Sequence, residues 1–80
     1  MAQLRLFASA REAAGTARDI VPGATVDEVL SAAVSRFGTD FATVLDTCRV
    51  WLNGEQVSGA TPVTDHDEVA VLPPVSGGAL

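Results

Sequence analysis

The sequence predicts an α+β fold of two layers, a mixed sheet packed on one face by one main helix. Three observations lead there. Val26, Val29, Leu30, Ala33, Val34 and Phe37 recur at i, i+3, i+4, i+7, i+8 and i+11, a single apolar stripe along a helix. Several shorter segments alternate apolar and polar residues, as half-buried strands do. Between two of them stands Asn53-Gly54, the favoured two-residue turn of a hairpin. Eighty residues make one domain, and 48% hydrophobic content suffices for one core of that size. Internal repeats, linkers and low-complexity segments are absent from the sequence.

The elements follow in order. Leu4, Leu6 and Ala8 alternate with Gln3, Arg5 and Phe7, a first strand whose aliphatic side turns to the core. Residues 9–14 read as a short helical turn stopped by Gly15, and residues 18–21 as a second strand ended by Pro22-Gly23. The short connection pairs these two strands as an antiparallel hairpin. The main helix opens with Thr25 and Glu28 in capping-box spacing and closes at Gly38, a left-handed stop. A second short helix is expected over 41–45, then strands over 49–52 and 55–57 around the Asn53-Gly54 turn. Residues 61–64 are irregular, Asp65-His66-Asp67 turns the chain, and 68–72 form the last strand.

Charge and composition narrow the function. Ten carboxylates against five arginines give a formal net charge of -5. That balance opposes nucleic acid and favours a basic protein partner. No lysine is present, so no side-chain amine offers itself for a Schiff base or an isopeptide bond. Cys48 is the single cysteine, which excludes an intramolecular disulfide and a thiolate pair for zinc or iron–sulfur, and suits a reducing compartment. With neither a charged leader and apolar h-region nor a membrane-length apolar run, the expected location is cytoplasmic, without a membrane partner. Single reactive-looking residues read plainly: His66 as a turn residue, Cys48 as packing, Ser58 and Ser76 as hydroxyls without an activating base. Asp65, Asp67 and Glu68 read as a solvated turn.

The chain closes Pro73-Pro74-Val75-Ser76-Gly77-Gly78-Ala79-Leu80. Lacking a β-carbon, consecutive glycines can thread a channel too narrow for other residues and leave a carbonyl open to attack. The division expected is a domain over 1–75 and a flexible C-terminal tail over 76–80.

Four segments carry a resemblance that covers essentially the whole chain. They are Leu6-Phe7-Ala8-Ser9-Ala10-Arg11-Glu12-Ala13-Ala14-Gly15, Asn53-Gly54-Glu55, Asp65-His66-Asp67-Glu68-Val69-Ala70 and Pro73-Pro74-Val75-Ser76-Gly77-Gly78. Together they resemble the MoaD branch of the MoaD/ThiS sulfur-carrier family. The resemblance implies a ubiquitin-like β-grasp fold, with the last strand central and beside the first. It implies the role of molybdopterin synthase small subunit in molybdenum cofactor biosynthesis, a substrate-like arm rather than a source of acids and bases. Gly78 would carry the adenylate and then the thiocarboxylate, and Gly77 would give the tail clearance. No permanently bound cofactor is implied; ATP is used by the activating enzyme. The implied partners are the large subunit of molybdopterin synthase and a ubiquitin-activating-like adenylating enzyme.

Two departures stand out. Family members competent for activation end at the second glycine, whereas this chain continues with Ala79-Leu80, about 7 Å of extended backbone. A peptidase removing Ala79-Leu80 is therefore a further expected partner; the other possibility is a copy inactive as a carrier. His66 stands where the family often has glycine, and histidine is expected to tolerate a left-handed turn there. Alternation also turns Phe7, Trp51 and Leu72 away from the helix. With strands ordered as in the resembled family, these form a docking patch near the tail, with Arg11 at its rim and Val75 beyond it. Carriers for other pathways (thiamine, cysteine, a secondary metabolite) and a β-grasp interaction module or protein tag are the alternative readings.

Overall fold

Alternation in the first strand is realised with one correction. In the computed structural model, which describes residues 1–73, β1 (Ala2–Leu6) buries Ala2, Leu4 and Leu6 and leaves Gln3 exposed. The tail residues Val75, Gly77 and Gly78, and Ala79-Leu80 after them, lie outside the described residues. Ala8 does not continue the strand: it is exposed, has φ 49°, and opens α1 (Ala8–Ala14). An alanine fits either pattern, and period-two spacing alone could not tell a strand's last inward residue from a helix's first. Gly15 ends α1 at φ 78°, its N–H donating to the Arg11 carbonyl.

β2 (Arg18–Val21) pairs antiparallel with β1, as expected. Its outer edge is closed by side chains. Asp19 Oδ1 accepts the Ile20 N–H at 2.8 Å, and Arg36 Nη1 donates to the Ile20 carbonyl at 3.0 Å and to Asp19 Oδ2 at 2.8 Å. The Arg36 guanidinium and then the Ile20 N–H hold the Asp19 carboxyl below the usual carboxylate range. Open strand edges invite pairing with other chains, and here those groups are occupied.

The main helix, α2 (Val26–Phe37), has the expected bounds, with Val26, Val29 and Ala33 buried. Thr25 Oγ1 accepts the Glu28 N–H at 3.2 Å, whereas the Glu28 carboxylate reaches one residue further back, accepting the Ala24 N–H at 2.9 Å. At the other end Gly38 has φ 97° and ψ -169°, positive in φ but not the left-handed helical stop expected. That extended turn lets α3 (Thr39–Leu45) start at once, two residues earlier than the apolar pattern indicated. Phe41 projects from α3 into the core at 0% exposure, edge-on to Phe37 with ring centroids 5.2 Å apart.

β3 (Arg49–Leu52) and β4 (Glu55–Gln56) form the hairpin, β4 stopping before Val57. Asn53 at φ 51° and Gly54 at φ 87° supply the two positive-φ positions that such a turn requires. β5 (Glu68–Leu72) runs parallel to β1 and antiparallel to β3, so the sheet order is β2-β1-β5-β3-β4. The fold is thus α+β, a mixed five-stranded sheet of the ubiquitin-like β-grasp type with the last strand central and one face covered. The covering layer holds the main helix and both short ones: Ala10 of α1, Val29 and Ala33 of α2 and Phe41 of α3 share a core with Leu4, Leu6, Val69 and Val71.

Two of the sequence motifs turn out to be one structure. Asn53 Nδ2 donates to Asp67 Oδ1 at 2.9 Å, and Asn53 Oδ1 accepts the Glu68 N–H at 2.9 Å. Asp67 Oδ2 in turn accepts the Thr64 N–H at 2.8 Å. His66 is not among the described residues with positive φ, so the turn needs no left-handed backbone at that position, contrary to expectation. Asn53→Ala removes two hydrogen bonds and, with the amide, the side chain that eases a left-handed backbone at φ 51°, for an expected loss of about 2 kcal/mol in chemical denaturation. The Asn53 amide and then the Thr64 N–H hold the Asp67 carboxyl below its ordinary range. A depressed carboxyl stabilises the fold above its unfolded pKa, near 4, and loses that contribution as pH falls through the lower folded value. Asn53→Ala should therefore also flatten the acid limb of the stability profile.

Candidate docking face

Strand registers arrange the uncovered side of the sheet row by row, because residues directly opposite one another share a face. The central row runs Arg18, Arg5, Ala70, Trp51 and Gln56 across all five strands. Toward the C-terminal end of β5 the next row contains Leu72 and Arg49. Phe7 joins that row, since its N–H donates to the Val71 carbonyl at 3.2 Å and extends the parallel pairing by one residue. Toward the other end the row is Ile20, Gln3 and Glu68.

Phe7, Trp51 and Leu72 thus lie on one face, as alternation indicated, and all three are half-buried. They surround the end of β5, from which residues 73–78 continue. Arg11 is exposed on α1, the helix that starts directly after Phe7, and its N–H donates to the Phe7 carbonyl at 3.4 Å. The Arg5 guanidinium stands 5.2 Å from the Phe7 ring centroid, a cation–π distance, and 3.8 Å from the Glu68 carboxylate.

The sequence reading left Arg5, Arg18, Ile20 and Arg49 out of this face. Alternation marks Arg5 as outward, but only the pairing register sets Arg18 against it and Arg49 against Leu72. Pairing is non-local, and no short window of sequence contains it.

Reactive-looking groups elsewhere behave as packing or turn residues. Cys48 is half-buried against the core, and burial pushes its thiol up, away from the thiolate that nucleophilic sulfur needs. Ser58 Oγ lies 3.4 Å from Thr61 Oγ1, a neighbour that is no base. Among the described residues no group of three or more His, Cys, Asp or Glu side chains could hold a metal ion. No helix among them is long and apolar enough to cross a membrane.

Comparison with known proteins bears on the same residues. A family model described as the ThiS family matches residues 4–78. The crystal structure of SAMP1 from Haloferax volcanii is similar at 35% identity and a TM-score of 0.77, covering 95% of this chain and 97% of that one. The solution structure of small archaeal modifier protein 1 from Methanosarcina acetivorans is similar at 29% identity and a TM-score of 0.82, covering 96% and 95%. A putative molybdopterin converting factor subunit 1 from Pyrococcus furiosus is similar at 26% identity and a TM-score of 0.78, covering 92% and 97%. Comparison with curated proteins gives no match.

Proposed function

The chain belongs to the ThiS family of sulfur carriers, and from that premise we propose that it carries sulfur as a thiocarboxylate on Gly78 and donates it in molybdopterin biosynthesis. The observation that carries this reading is the extent of the family match, which runs through the tail and stops at Gly78, the second glycine of the pair. Ala79-Leu80 falls beyond it.

A carboxylate is a poor acyl donor. Attack of the Gly78 carboxylate oxygen on the α-phosphate of ATP, with loss of pyrophosphate, gives an acyl adenylate. A sulfur nucleophile then displaces AMP and leaves the thiocarboxylate. A ubiquitin-activating-like enzyme supplies the adenylation site and consumes the ATP, and this chain supplies the arm. Gly77 and Gly78, without β-carbons, let the carbonyl reach a narrow site. The large subunit of molybdopterin synthase then receives the tail, and the sulfur passes to cyclic pyranopterin monophosphate. Removal of Ala79-Leu80 by a peptidase precedes the first step, and all of this takes place in the cytoplasm.

Support for the molybdopterin route comes from the likeness to the Pyrococcus furiosus protein and from the Pro73-Pro74-Val75-Ser76-Gly77-Gly78 ending. A second reading, attachment to amines of other proteins, is favoured by the 35% identity with the Haloferax volcanii modifier. The acceptor amine would belong to another molecule or to an N-terminus, since this chain has no lysine. Reconstitution separates the two. Thiocarboxylated chain ending at Gly78, mixed with the large synthase subunit and cyclic pyranopterin monophosphate, should yield the dithiolene product and return to the carboxylate form. Recovery of protein adducts from cells, with no dithiolene in the reconstituted mixture, would establish the second reading instead.

The docking patch is tested separately. Phe7→Asp and Leu72→Asp should each weaken binding to the adenylating enzyme and to the large subunit by at least about 1 kcal/mol. Their circular dichroism should remain that of the parent chain. Unchanged titrations with both partners would move the interface off this face.

A further inference from the structure

The β1–β2 half of the open face is unfavourably built for folding alone. Arg5 and Arg18 lie directly opposite each other on the same face of an antiparallel pair, an arrangement of like charges that destabilises a sheet. Relief is slight. Arg5 has Glu68 at 3.8 Å, and exposed Arg18 has no ion pair among the described residues. A cavity of about 420 Å³ opens between them, lined also by Gln3, Leu4, Asp19, Ile20 and Glu68, the Asp19 carboxylate being already held by Arg36 at 2.8 Å. Ile20, at 55% exposure, is one of two large apolar side chains so exposed among the described residues.

Charge is also unevenly divided. The chain is acidic by -5, yet the open-face strand residues include Arg5, Arg18 and Arg49 of its five arginines and a single carboxylate, Glu68. Charge complementarity to this face calls for an acidic surface, where complementarity to the whole chain calls for a basic one.

We infer that Arg5, Arg18 and Ile20 form a second contact zone for the protein partner, taking a surface carboxylate between the two guanidiniums and an aliphatic side chain on Ile20. The inference rests on reading the open face as the docking face, and it extends that face from Leu72 and Phe7, through Arg5 stacked on Phe7, to the β2 edge. A nucleic acid is disfavoured by the acidity of the rest of the chain. A free small anion would meet one exposed and one half-buried guanidinium, both open to solvent screening, and leave Ile20 uncovered. A protein carboxylate brings apolar surface with it and desolvates the pair.

The test uses the chain ending at Gly78, its variants Arg5→Gln/Arg18→Gln and Ile20→Ser, and the ubiquitin-activating-like adenylating enzyme as probe. Calorimetric titration at low salt should show the arginine double variant weakened about tenfold, and the gap should close at high salt. Its thermal midpoint should be equal to or above that of the parent chain, because the like-charge pair is gone. Ile20→Ser should weaken binding without that salt dependence. Unchanged affinity in the arginine variant while Phe7→Asp binds poorly overturns this zone and leaves the Phe7–Leu72 patch standing. The opposite pattern keeps the zone and removes the patch. Release of the enzyme by millimolar inorganic phosphate, with matching shifts of the Arg5 and Arg18 Nε resonances, would make this a small-anion site and overturn the assignment to a protein carboxylate. No binding by the parent chain overturns both.

Discussion

A chain cut after Ser76 should unfold at the temperature of the full-length protein and acquire no sulfur. All twelve residues of the described core lie at or before Val71, so the cut leaves them intact. The reactive carbonyl proposed for Gly78 is gone. Three further chains place the requirement residue by residue. One ending at Gly78 should be adenylated; the full-length chain, about 7 Å longer in extended backbone, should resist until Ala79-Leu80 is removed. Gly78→Val should block both removal and activation, since a branched side chain obstructs a site shaped for glycine. Mass spectrometry reads each outcome directly. Unfolding of the chain cut after Ser76 would show that the tail belongs to the domain, and efficient adenylation of the uncleaved chain would dispense with the peptidase.

Phe41→Ala should be the most damaging single substitution for stability, at about 3–5 kcal/mol. Phe41 is fully buried, packs edge-on against Phe37 and ties α3 to the core shared by Leu4, Leu6 and Val69. Small domains have only about 5–15 kcal/mol in total, so the variant should be largely unfolded at modest denaturant concentration. Phe41→Leu, which keeps most of the volume, should lose much less. The denaturant midpoint with unchanged slope is the measurement. A loss below about 1 kcal/mol for Phe41→Ala would mean that α3 collapses onto the cavity, and that the helical layer is less tightly specified than its burial implies.

Some of this was readable in the sequence for local reasons. The α2 stripe, its Thr25 cap and the Asn53-Gly54 turn are each written in a few adjacent residues whose backbone demands are strong. Alternation likewise placed Phe7, Trp51 and Leu72 on the open face without knowledge of their neighbours. What could not be read locally was pairing. The parallel partnership of β1 and β5 came from the family resemblance, since alternation carries no strand order. The same limit hid Arg18 opposite Arg5, and the Asn53 amide spanning to Asp67 and Glu68. Ala8 misled for a different reason: its side chain is too small to declare a face, and the turn into α1 holds its backbone at φ 49°. Net charge does not say where charge lies: -5 is an average over a molecule in which three of the five arginines, Arg5, Arg18 and Arg49, share the open face of the sheet.

The claim that Gly78 carries sulfur is tested most directly by intact-mass and C-terminal fragment analysis of a chain ending at Gly78. It is incubated with ATP, the ubiquitin-activating-like enzyme and a sulfur donor. The expected result is replacement of one oxygen by one sulfur, confined to the fragment containing Gly77-Gly78 and absent without ATP. An unchanged mass in the presence of an enzyme that thiocarboxylates another carrier, or sulfur found on Cys48 instead, would contradict it.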